Sequence, residues 1–133
     1  MPWVERKGRS VGKVEDGKPY QWGRLYAALR AVHGFAATGR VTPATDRELR
    51  DTASRPRSVF EGFLRNAGLD VFAARQRGGL VAEAAAVAFA DVARLIPPRR
   101  MDTDQITAQA AHFRQGYEAQ LAEYRKAWEG LVD

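Results

Sequence analysis

The chain has 133 residues, about one domain's length, and 45% of them are apolar, enough for a single modest core. It contains no cysteine, which excludes a disulfide framework and thiolate metal sites. The net charge of +5 is uneven: residues 1–101 hold 18 Lys+Arg against 10 Asp+Glu, residues 102–133 hold 3 against 6, and 17 of the 21 cations are arginine.

Glycines and alternating charges interrupt residues 1–18, which read as a separate N-terminal arm, either irregular or a short hairpin about Asp16-Gly17. The rest, 19–133, reads as one helical domain. Trp22, Leu25, Tyr26, Leu29 and Val32 recur at helical spacing and predict a helix over 20–37 that ends near Gly39. At about 100° per residue Arg24 points almost opposite that stripe and Arg30 lies on its flank. Thr42-Pro43 reads as a cap and first turn, predicting a short polar helix from Pro43 to about Thr52 that carries Arg47 and Arg50. Ala53-Ser54-Arg55-Pro56 breaks it. Val59, Phe60, Phe63, Leu64, Ala67 and Val71 then mark the apolar face of a helix over 56–76, with Gly68 as a possible kink and Gly78-Gly79 as its stop. Residues 80–96 are almost wholly apolar and predict a helix buried on most sides, the central one, ended by Pro97-Pro98. After Asp102 or Thr103 as cap, Ile106, Ala110, Phe113, Tyr117, Leu121, Tyr124 and Trp128 step by three and four, a heptad-type seam. The fold class is all-α, a four- to five-helix bundle.

Catalytic signals are few. His33 falls on the apolar stripe and reads as a core-edge histidine; His112 has no ligand at helical spacing, so no metal pair forms. Asp102 and Asp104 are explained as helix-start residues. Neither a GxxxxGK[ST] loop nor a GxGxxG occurs. The expectation is a non-enzyme with no cofactor and no metal site. No apolar run reaches the roughly 18 residues of a membrane span, and charges occupy the place of a signal peptide's apolar stretch, which predicts a soluble, cytoplasmic protein without a membrane partner. The arginines remain. Arg47, Arg50, Arg55, Arg57 and Arg65 are concentrated on the short helix and the start of the next. Guanidinium groups there can track a phosphate backbone without reading bases. The competing reading is a solvated basic face laced by pairs such as Arg57–Glu61–Arg65.

Four motifs in order resemble the C-terminal helical region of the large subunit of type I-C CRISPR Cascade complexes. They are Tyr20-x-x-Gly23-Arg24-Leu25-Tyr26-Ala27-x-Leu29, the stretch Thr45 to Arg50 before the turn at Pro56, Val59-Phe60 with Leu64-Arg65, and Phe113-x-x-Gly116-Tyr117-x-x-Gln120. In that family the region is also made as a separate small subunit. The chain has no counterpart of the large subunit's N-terminal portion, and its turn before Pro56 is shorter than the family's. The resemblance implies a non-catalytic helical bundle, present in several copies, that contacts the Cascade backbone and large subunits and other copies of itself. It also implies sequence-independent contact with target DNA and guide RNA during R-loop formation. Candidate nucleic-acid contacts are Arg24, Arg30, Arg47, Arg50, Arg55, Arg57 and Arg65, with Arg24 partly structural by analogy with the family, where it recurs next to a stripe residue in the Gly-Arg-Leu motif. The alternatives are a basic helical protein–protein adaptor and a small helical DNA-binding protein of another system.

Overall fold

The computed structural model describes residues 18–97 and 103–133, and within them the chain is an all-α bundle of six helices without a strand. These are α1 (Lys18–Ala37), α2 (Asp46–Ser54), α3 (Pro56–Gln76), α4 (Gly79–Leu95), α5 (Thr103–Ala108) and α6 (Ala110–Ala127). The N-terminal arm, with its turn at Asp16-Gly17, and the caps assigned to Asp102, Thr103 and Asp104 lie outside the described residues and side chains. No helix among the described residues is long and apolar enough to cross a membrane.

The central helix is α1, not the apolar segment 80–96. α1 packs against α6, α3 and α4, and Trp22, Leu25, Tyr26, Ala27, Ala28, Leu29, Ala31, Val32 and Phe35 are all buried. These residues go nearly round the helix, so its alanines are as interior as its large side chains. The Phe60 ring lies edge-on to Trp22 at 5.0 Å and to Phe113 at 6.3 Å, and Tyr26 meets Phe60, Phe63, Phe113 and Tyr117. Removing a ring at such a site costs about 3–5 kcal/mol.

α1 and α6 cross through two glycines. A Cβ on Gly23 would collide with the Phe113 carbonyl, and one on Gly116 with the Tyr20 carbonyl, so only glycines let the two backbones touch. Gly39, at φ 81°, ends the turn after α1 and donates to the carbonyls of Gly34 and Phe35. Val41 then bridges to Val132, and Arg40 holds Asp133, tying the chain's end to this turn.

Three sequence expectations change. α2 starts at Thr45 rather than Thr42-Pro43. Thr45 accepts from the Glu48 backbone N–H at 3.1 Å while its own N–H donates to the Glu48 carboxylate at 2.9 Å, a reciprocal capping box that outcompetes the proline signal. The last helix is split at Gln109, and α5 turns so that the Thr107 hydroxyl donates to the Ala53 carbonyl at 2.9 Å. α4 is peripheral: its Ala84, Ala85, Ala88, Val92 and Leu95 are buried, but Leu80, Val87, Phe89 and Ile96 are exposed. α3 occupies the predicted limits and runs unbroken through Gly68.

Candidate nucleic-acid interface

The seven candidate arginines fall into two groups according to what stands opposite them. Arg24 points away from the predicted stripe, yet α6 covers that side. Its Nε donates to the Gln120 amide oxygen at 2.9 Å and a second nitrogen lies 3.9 Å from Glu123. Arg30 is folded against the body, its guanidinium carbon 5.6 Å from the Tyr26 ring centroid. It donates to Glu48 at 3.3 Å and to the Thr42 carbonyl at 3.4 Å. Both guanidinium groups are committed within the chain.

Arg47, Arg50, Arg55, Arg57 and Arg65 are different. All five are exposed, and their guanidinium groups have no ion pair or hydrogen bond among the described residues. The Arg57–Glu61–Arg65 pairs of the competing reading do not form. The acids nearest in sequence are partly spent elsewhere. Asp46 is taken by Arg114, which holds its carboxyl below the usual range, with the charge of nearby Arg50 adding a little to it. Glu48 is held low chiefly by the Thr45 backbone N–H, with Arg30 adding to it. Asp51 and Glu61 remain as the uncommitted acids of this stretch.

Helical spacing puts Arg47, Arg50 and Ser54 on one side of α2. At the corner between α2 and α3 an open groove of about 390 Å³ is lined by Ser54, Arg55, Pro56, Arg57, Ser58, Glu61 and Thr107. This groove is also the N-terminus of α3, a 21-residue helix with no acidic residue in its first turn and no side-chain cap. Pro56 carries no N–H, and the amides of Arg57 and Ser58 have no acceptor among the described residues. The positive end of the helix dipole is therefore open to solvent beside two unpaired guanidinium groups, an arrangement that suits a phosphate. Arg50 lies apart from it, lining a smaller hollow with Leu49, Phe113 and Arg114. Arg65 stands one turn beyond Glu61 on the exposed side of α3.

Sequence reasoning located the five arginines but not the groove, the hydroxyls of Ser54, Ser58 and Thr107, or the open helix end. The signal for the last was present: a Ser-Arg-Pro-Arg-Ser run with no acid before Glu61. His33 lies 3.3 Å from Asp70 and edge-on to Phe63 at 5.7 Å, at the border of the core, while His112 meets Gln109. The described residues hold no cluster of side chains able to bind a metal ion. No family model matches the chain, and no curated protein or solved structure matches it either.

Proposed function

We propose that the chain is a non-catalytic small subunit of a type I CRISPR Cascade effector complex. In this reading it packs along the backbone and large subunits in several copies and steadies target DNA and the displaced strand by phosphate contacts at the α2–α3 corner. The observation that carries the nucleic-acid part is the uncapped N-terminus of α3 with two unpaired arginines, Arg55 and Arg57, beside it, while Arg47, Arg50 and Arg65 are exposed elsewhere on the same two helices. Such contacts add affinity without reading bases. R-loop formation is a nearly balanced strand exchange, which modest backbone contacts can tip. The Cascade part rests on the motif resemblance. Its first and last motifs supply one helix crossing, Gly23 against Phe113 and Gly116 against Tyr20, with Arg24 on Gln120. The spacing that carries the resemblance is thus a packing constraint a shared fold would retain.

Co-expression with Cascade backbone and large subunits, with and without guide RNA, tests the reading. Stable incorporation in several copies and higher target-DNA affinity are expected. The triple variant R47E/R50E/R57E is expected to lower that affinity about tenfold or more at fixed salt, with an unchanged thermal melt. Unchanged affinity overturns the site; a folded chain that does not co-purify overturns the subunit assignment. The exposed apolar side of α4 favours a second reading, a protein–protein adaptor, for which partner capture would survive nuclease treatment.

A further inference from the structure

The outer side of α3 lies opposite buried Phe60, Ala67 and Ala74, and there Leu69 is 72% and Phe72 64% exposed. At about 100° per residue, Ser58, Arg65, Leu69, Phe72 and Gln76 fall within an arc of about 60°. The ring and the leucine therefore continue a line that begins at Ser58, in the groove of the α2–α3 corner. Arg57 and Arg75 share one edge of this face. Their guanidinium groups and that of Arg65 are exposed, with no ion pair or hydrogen bond among the described residues. Of the two acids of α3, Glu61 shares this side and Asp70 is turned to His33. Gly62 and Gly68 border the arc on either side, and no neighbouring segment stands within 4 Å of where their side chains would begin. Glycine weakens a helix interior, and packing within the chain gives neither a reason to be there. What the pair provides is low, open ground beside an exposed ring.

We infer that this face is a track for a single strand of nucleic acid, in which Phe72 stacks on an unpaired base with Leu69 beside it while Arg57, Arg65 and Arg75 meet phosphates. Arg65 and Phe72 are about 10 Å apart along the axis, which about three nucleotides of a stacked strand cover. The charges call for a polyanion, and the apolar pair decides its kind. Two apolar side chains within one turn of a convex helix make no groove, and they fall short of the several anchors that a docked helix places at i, i+3, i+4 and i+7. They are what one base needs. A duplex keeps its bases stacked and paired inside, so it offers Phe72 nothing. The inference rests on the phosphate contacts proposed at the α2–α3 corner and adds to them the form of the nucleic acid.

Fluorescence anisotropy of the full chain at fixed salt tests it, with labelled oligo(dT), an abasic strand of the same length and a duplex of that length as probes. Phe72→Ala is expected to weaken oligo(dT) binding about tenfold and to leave the abasic strand and the duplex within about twofold. Phe72→Trp is expected to keep the oligo(dT) affinity. Arg57→Glu is expected to weaken all three, because phosphates are common to them. Both positions are exposed, so thermal melts by circular dichroism should match those of the wild-type chain. If Phe72→Ala binds oligo(dT) as the wild type does while Arg57→Glu weakens it, the track is overturned and the corner stands. If neither variant changes any affinity, or the wild-type chain binds no probe, both are overturned. An equal loss on the abasic strand overturns the track, because the ring then meets no base. So does stronger displacement of oligo(dT) by an acidic glutamate–leucine peptide than by unlabelled oligo(dT), which assigns the face to a protein.

Discussion

On α1 and α6 the guanidinium groups are consumed: Arg24 by Gln120, Arg114 by Asp46 of α2 and by Glu118, Arg125 by the Asp133 carbonyl. Where α2 meets α3, they are left free. The residue type is the same and the exposure predicted from a helical wheel is similar. What differs is whether a distant segment supplies an acceptor. Arginine content therefore says little about nucleic-acid binding until the partners are counted.

Four experiments press on this contrast. Gly116→Ala should do most harm, because its methyl meets the Tyr20 backbone and neither helix can retreat without opening the core. A loss of about 3 kcal/mol is expected in urea unfolding. Arg24→Ala removes a part-buried hydrogen bond to a charged donor and should cost about 1.5–3 kcal/mol. Thr45→Ala breaks half the capping box and should cost about 1 kcal/mol. Arg57→Ala should leave stability within about 0.5 kcal/mol while lowering the slope of log affinity against log salt by about 0.7–0.9. If Arg24→Ala moved that slope as much as Arg57→Ala, the division between the two groups would fail.

Acid sharpens the same picture. Glu48, Asp46 and Asp133 are held below their ordinary values by the Thr45 amide, Arg114 and Arg40 respectively. The unfolded chain therefore binds more protons in acid. The stability these groups supply is complete above about pH 4.3, the unfolded value for glutamate, and is lost as pH falls through the lower folded values. Glu48→Gln should flatten that fall, as followed by thermal melts against pH.

Local chemistry made some of this legible and long-range contact hid the rest. α3 was readable to its ends because proline suits a first turn and Gly78 and Gly79 sit at φ 70° and 57°. α2 was misread at its start because two threonine signals compete within four residues, and only Thr45 has a glutamate three positions on. α4 and α1 exchanged places because composition records how apolar a helix is, not what covers it. Ala27, Ala28 and Ala31 look unremarkable in sequence and are wholly enclosed. The motif resemblance marks Arg24 but not Arg30 as partly structural, and the acceptors that occupy them were hidden for the same reason, since they lie 96 and 18 residues away. The α3 groove needed the angle of the α2–α3 corner, which no periodicity encodes.

The glycine crossing also has a consequence for how the chain is made. The first described helix finds its largest partner in the last, so the side of it that α6 covers stays bare until α6 is made. α3 and α4 can join it early, but Gly23 and Gly116 meet only after the segment about Phe113 to Tyr117 has left the ribosome. Completing the described bundle therefore needs a closure across about 90 residues, which gives it a higher contact order than a bundle of sequence-adjacent helices. A ribosome stalled within α6 would release α1 half-covered, a substrate for chaperones and proteases rather than a smaller version of the bundle.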